Sequence, residues 1–133
     1  MTSVEHREVV AVRVLVIDDE AEVRAAVRTM LEEEGHEVTD AANGVEAMRI
    51  LLGAPVDLVV CDLFMPDMDG LEVIRELRRN APDVCVIAMS GGGADGTIDL
   101  LPMARALGAT GVLYKPFDRI VAAAAIDRAM RSR

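Results

Sequence analysis

At 133 residues the chain has the length of one ordinary domain, enough to bury a real core. Hydrophobic residues make up 52% and charged residues 28%, which excludes a disordered tail, and no apolar run approaches the ~18 residues of a membrane span. A net charge of −9 argues against generic phosphate-backbone binding, which needs Lys and Arg, and aromatics at 2% leave the core to Val, Leu, Ile, Ala and Met.

The start, Met1 to Glu8, lacks the pattern of a signal peptide, and residues 1–10 read as a loose tail before a single domain over 11–133. Val12–Ile17 (VRVLVI) is nearly all apolar and β-branched, as expected of a strand buried on both faces of a parallel sheet. Ala21–Glu34 carries Val23, Ala26, Val27, Met30 and Leu31 at helical spacing, and Gly35 supplies a stop. Glu37–Ala41 is a short strand. Asn43 caps a helix bearing Val45, Met48, Leu51 and Leu52, which Gly53 and Pro55 end. Leu58–Cys61 is again an apolar strand.

A Pro/Gly loop leads to a helix over Leu71–Arg79, with Leu71, Ile74 and Leu77 on one side. Val84–Met89 is a fourth apolar strand and Gly91–Gly96 a flexible loop. Asp99 caps a fourth helix, which tolerates Pro102 because it falls in the first turn. Gly108 closes that helix, Gly111–Tyr114 is a fifth strand, and Asp118–Arg131 is an Ala-rich last helix. The basic residues of 115–133 read as a solvated helix end rather than a nucleic-acid site. Cys61 and Cys85 offer neither zinc spacing nor a disulfide framework, and a soluble, cytoplasmic, reducing setting is expected.

Five strands alternating with five helices on short connections imply an α/β fold with a doubly wound parallel sheet. Such sheets bind ligands outside the carboxyl ends of their strands. The first strand ends in Asp18-Asp19 with Glu20 next, the third in Asp62, the fourth in Ser90, and the fifth in Lys115-Pro116. Three carboxylates, a hydroxyl and an ammonium thus converge on one edge. Clustered carboxylates repel unless a cation joins them, and all-oxygen ligands suit a hard divalent ion, Mg²⁺ or Mn²⁺, that shares its shell with phosphate oxygens. Each residue alone has a plainer reading. Asp-Asp after a strand is commonly a helix N-cap with charge in the first turn. The combination is what carries the signal.

The segments VLVIDDE (Val14–Glu20), DLVVCDLFMPDMDG (Asp57–Gly70), VIAMSG (Val86–Gly91) and LYKPF (Leu113–Phe117) resemble the receiver domain of two-component response regulators of the bacterial chemotaxis-regulator type. The resemblance covers about residues 11–133. It implies a flavodoxin-like five-stranded sheet in the order 2-1-3-4-5, and a chain that accepts a phosphoryl group from a sensor histidine kinase or histidine phosphotransferase. Carried over position by position, Asp62 is the phosphoacceptor. Asp18 and Asp19 are the acidic pair, Asp19 the direct metal ligand and Asp18 acting partly through water. The backbone carbonyl of Phe64 is a further metal ligand, Ser90 the switch hydroxyl, and Lys115 the phosphoryl-pairing lysine, joined to Pro116 by a cis peptide bond.

Two departures stand out. The family's aromatic switch position, three before the lysine, holds Val112, and the segment from Ser90 to Lys115 is a few residues longer than usual. Tyr114 shares a strand face with Val112 and is the candidate to report activation in its place, against the plainer reading that its ring covers the sheet edge. Three other readings are weaker. A nucleotide loop at Gly91–Gly96 lacks a following Gly-Lys-Ser/Thr. A phosphatase DxD motif at Asp67-Met68-Asp69 has Pro66 breaking the strand its nucleophile needs. A degenerate receiver acting as a phosphorylation-independent interaction module would not need the intact acidic set and Lys115. Little chain follows Lys115, so a stand-alone receiver is expected, signalling through a downstream protein target or dimer partner, with no nucleic acid and no membrane. The cysteines, read as four residues out of level on adjacent strands, lie too far apart to pair.

Overall fold

The computed structural model describes residues 11–65, 70–91 and 101–131. Strand and helix alternate through them: β1 (Arg13–Ile17), α1 (Ala21–Glu33), β2 (Glu37–Ala41), α2 (Gly44–Gly53), β3 (Leu58–Asp62), α3 (Gly70–Asn80), β4 (Cys85–Ser90), α4 (Leu101–Ala106), β5 (Gly111–Tyr114) and α5 (Arg119–Arg131). Every element expected from the sequence is present, with ends displaced by a residue or so, as fraying ends are. The strands pair in parallel in the order β2-β1-β3-β4-β5.

Alternation along each strand divides the core into two layers. Leu15, Ile17, Val59, Cys61, Val86 and Ala88 face one way and meet Ala47, Val73, Ile74, Leu77 and Ala104 of α2, α3 and α4. Val14, Val16, Leu58, Val60, Ile87 and Met89 face the other way and meet Val27 and Leu31 of α1 and Ile126 and Ala129 of α5. Because β3 and β4 are covered on both sides, all their residues are buried and the strands read as unbroken apolar runs.

Local signals set the helix ends. Asn43 Oδ1 accepts from Glu46 N at 2.8 Å, while Glu46 Oε1 accepts from Ala42 N at 3.1 Å, closing the first turn of α2. Gly35, at φ 94°, follows α1: its N–H reaches Glu32 O at 2.9 Å and the next N–H, of His36, reaches Leu31 O at 3.2 Å. A side chain at Gly35 would be strained in this left-handed turn. Gly108 ends α4 in the same manner, with Ala109 N bonded to Ala104 O at 3.0 Å. Pro102 sits at the second residue of α4, where its missing N–H costs nothing.

One expectation changes. Leu58 pairs with Cys85 and Cys61 with Ala88, so the cysteines are three residues out of level rather than four, because Asp62 is level with Met89 and not with Ser90. They still do not meet: ~10 Å along the strand exceeds the ~7 Å reach of a disulfide, and the two thiols lie in opposite core layers. At the basic end the arginines stay solvated, Arg119 at 56% and Arg131 at 72% exposed. Arg119 lies 3.5 Å from Glu33, the last residue of α1, and from Glu34, which caps it, while Lys115 turns inward to the site. Residues 1–10, the Asp67-Met68-Asp69 motif, residues 92–96 and Asp99 lie outside the described residues.

Candidate functional site

The parallel strands bring their carboxyl ends to one edge, and hydrogen bonds just past the strands hold the next residue of each chain segment in place. Past Ile17, Asp18 N donates to Ala41 O at 3.2 Å, extending the β1–β2 ladder. Past Asp62, Leu63 N donates to Met89 O at 3.0 Å, and past Tyr114, Lys115 N donates to Ser90 O at 2.8 Å. The Lys115–Pro116 peptide bond is cis, as the resemblance implies.

Carboxylate oxygens of Asp18, Asp19 and Asp62 come within 4.8 Å of one another. Asp18 is fully buried, Asp62 nearly so, and Asp19 is exposed. Asp18 is held on both oxygens: Oδ1 accepts from Glu20 N at 2.9 Å and Oδ2 from Lys115 Nζ at 2.9 Å. Lys115 Nζ also lies 3.4 Å from Asp62 Oδ2, and Phe64 N donates to Asp62 Oδ1 at 3.3 Å. The plainer reading of the acidic pair as a helix cap does not hold, because the N-cap of α1 is Glu20, with no side-chain cap bond.

The electrostatics follow from crowding. Burial raises the Asp62 pKa above the ordinary carboxylate value and the Asp18 charge adds to the rise, while Lys115 and the Phe64 N–H act in the opposite direction. Burial works to lower the Lys115 pKa, but the bond to Asp18 and the charges of Asp62 and Asp18 outweigh it and the net shift is upward. The ammonium stays charged. Three carboxylates at this spacing, one disfavoured as an anion, form an all-oxygen donor set that a hard divalent cation would relieve. Asp18, Asp19 and Asp62 fit such an ion.

The remaining residues expected at the site fall around this centre. Ser90 is the buried last residue of β4, level with Tyr114. Phe64 is 42% exposed beside Asp62. Val112 is half-buried and packs on the α2–α3–α4 core layer, while Tyr114, on the same strand face, is 52% exposed.

Two residues escaped the sequence reading. A Cβ on Gly70, the first residue of α3, would lie 2.4 Å from Asp62 O and 2.6 Å from Leu63 Cα, so the chain returns against the Asp62 backbone only because this residue lacks one. Gly70 N also donates to Leu63 O at 3.2 Å. Arg24, in the first turn of α1, donates from Nη1 to Asp18 O at 2.8 Å. The only trace of that contact in the sequence is a cation one turn into the helix that follows the acidic pair.

A doubly wound sheet whose carboxyl edge gathers an acidic trio, a buried hydroxyl and an ammonium defines a phosphoryl-accepting receiver. The family model of the response regulator receiver domain matches residues 14–127, and the chain belongs to this family of two-component signalling proteins. It is 43% identical over 107 residues to the sensor kinase CckA of Brucella abortus, covering 79% of this chain and 11% of that protein. It is 32% identical over 106 residues to sporulation initiation phosphotransferase F of Bacillus subtilis, covering 80% of this chain and 83% of that one. The chain thus spans about a tenth of the first relative and most of the second. Among solved structures, the chemotaxis protein CheY4 of Vibrio cholerae superposes with a TM-score of 0.81 at 28% identity, covering 90% of this chain and 99% of that one. Among the described residues, no helix is long and apolar enough to cross a membrane.

Proposed function

We propose that Asp62 is the phosphoacceptor of this receiver. The observation that carries this reading is the juxtaposition of Asp18, Asp19 and Asp62 within 4.8 Å, with Lys115 Nζ against two of them. In the transfer step an Asp62 carboxylate oxygen attacks the phosphorus of a phosphohistidine on a sensor kinase or histidine phosphotransferase. An O–P bond forms, the N–P bond breaks, and the imidazole leaves with the electron pair and takes up a proton. A divalent ion held by Asp18, Asp19 and Asp62 would supply positive charge to offset that on the phosphoryl oxygens. Asp19, exposed and beside Asp62, would hold that ion directly. Asp18, both of whose oxygens accept protein donors, would act partly through water, and the Phe64 carbonyl would complete the protein ligands.

Lys115 pairs with the incoming phosphoryl group, and Ser90, at the end of β4, bonds one of its oxygens. Both groups stand at the carboxyl ends of β4 and β5, strands that lie beyond β3 from β1 in the sheet. A phosphoryl adds roughly −1.5 to −2 charge and three acceptor oxygens, so drawing these groups to it shifts their loops. Hydrolysis of the acyl phosphate by water, releasing inorganic phosphate and restoring the carboxylate, resets the chain. The response then passes to a downstream protein or a second copy through the β5 side, where Tyr114, Met103, Ile120 and Val121 are exposed apolar side chains. A net charge of −9 favours a protein partner over nucleic acid, and the setting is the cytoplasm.

Incubation with a small acyl phosphate and Mg²⁺ tests the assignment. One acid-stable, base-labile phosphoryl group is expected on the wild-type chain and none on Asp62→Asn. Undiminished labelling of the variant overturns it.

A further inference from the structure

Asp18 and Asp19 share one peptide unit, and the oxygen of that unit is gripped by Arg24 at 2.8 Å. The peptide is planar, so fixing its oxygen fixes the direction in which the chain leaves Asp18 and from which the Asp19 side chain springs. The other groups of Asp18 are already held, by Ala41, Glu20 and Lys115. Asp19 is exposed, so the backbone it hangs from sets its aim. The guanidinium is itself oriented: Arg24 Nε lies 3.7 Å from Asp40 Oδ1 on β2. Asp40 Oδ2 accepts from Arg28 Nη1 at 3.0 Å, so its carboxylate is steadied from a second side.

We propose that Arg24 is a positioning residue for the divalent-metal site, locking the Asp18–Asp19 peptide, and that Asp40 acts through Arg24 to hold that lock. The role rests on reading Asp18, Asp19 and Asp62 as a metal site. It calls for an arginine because the fork offers separate nitrogens to the carbonyl and to Asp40, whereas a lysine offers one nitrogen to both. The sign of its effect is distinctive. A cation beside an acidic cluster opposes metal binding by charge alone, so simple loss of the Arg24 charge would tighten binding. Loss of a positioning contact weakens it, and outer contacts that orient metal ligands are typically worth about 10- to 100-fold in affinity.

The test is Mn²⁺ binding to the full chain, followed through the resonance signal of free Mn²⁺, with metal-free melting temperature recorded beside it. Arg24→Gln should bind Mn²⁺ about 10-fold more weakly than wild type. Arg24→Lys, which keeps the charge but not the fork, should also bind more weakly. Arg28→Gln, which steadies Asp40 but does not donate to Asp18 O, should lose clearly less affinity than Arg24→Gln. Asp40→Asn should weaken binding in the wild-type background and add nothing in Arg24→Gln. Unchanged or tighter binding by Arg24→Gln overturns the proposal, as does wild-type affinity in Arg24→Lys or an equal loss in Arg28→Gln. A wild-type chain that binds no Mn²⁺ overturns the metal-site reading itself, and the role of Arg24 with it.

Discussion

The Lys115 ammonium lies 2.9 Å from Asp18 Oδ2 and 3.4 Å from Asp62 Oδ2, so one cation ties the loop after β5 to the ends of β1 and β3. It satisfies Asp18 more closely than Asp62, which leaves Asp62 the less compensated of the two buried carboxylates. An incoming phosphoryl group would therefore compete with Asp18 for Lys115 across a short distance.

Stability should expose that imbalance. The folded-state pKa of Asp62 is raised above its ordinary value of 3.8, chiefly by burial and then by Asp18. A raised carboxyl contributes stability that is fully present below the unfolded value and lost as pH rises through the folded one. At neutral pH without metal, Asp62→Asn should accordingly melt above wild type, the gap closing as pH falls toward the ordinary carboxylate range. Mg²⁺ should reverse the order. At about 100 times its Kd a ligand adds about 2.7 kcal/mol, and the variant, short of one carboxylate, should gain less. A variant that melts below wild type in metal-free buffer at neutral pH contradicts this account.

Backbone approach at Gly70 gives a second prediction. Gly70→Ala should destabilise the chain by about 1–3 kcal/mol, since backbone atoms at 2.4 and 2.6 Å cannot move aside as a side chain would. It should also impair phosphorylation, because those atoms belong to Asp62 and Leu63. Gly53→Ala, where nothing lies within 4 Å of the added carbon at the end of α2, should be neutral or stabilising by up to ~1 kcal/mol. Chemical denaturation of the two variants compares them directly.

At the opposite end of the sheet, His36 Nδ1 accepts from Val12 N at 3.1 Å, and burial lowers the His36 pKa from 6.5, the nearby Glu34 opposing it. A depressed histidine contributes stability present above its unfolded pKa and lost as pH falls through the folded one. Melting temperature should therefore decline as pH drops below 6.5, and His36→Gln, which cannot titrate, should flatten that decline. Proton resonance of the imidazole checks the same point, and a His36 titrating above 6.5 rules it out.

Tyr114 offers an optical readout, since the chain has no Trp and a single Tyr. Its ring is half-exposed on β5, one residue before Lys115. Tyrosine fluorescence should change on adding beryllofluoride with Mg²⁺ and stay constant in Asp62→Asn. A flat signal while Asp62 is occupied removes Tyr114 from the switch.

The order of elements, the two-layer burial and the residues at the strand ends were legible in the sequence because each has a short-range cause. Unbroken apolar runs such as Leu58–Cys61 announce strands covered on both faces, helical spacing announces the layers above them, and a parallel sheet obliges every strand to end on the same edge. Asp18, Asp19, Asp62, Ser90 and Lys115 could be placed on that edge for this reason, without knowing a distance. The register between strands was not legible to the residue: nothing local fixes Asp62 opposite Met89 rather than Ser90, because that offset depends on how both strands enter the sheet. Nor could spacing reveal which side chains serve the site from outside it. Arg24 reaches Asp18 O because α1 lies back across β1 and β2, and Gly70 is excluded from carrying a Cβ because the chain after β3 folds back onto Asp62. Those contacts follow from the packing of whole elements, which a one-dimensional pattern of apolar and polar residues does not encode.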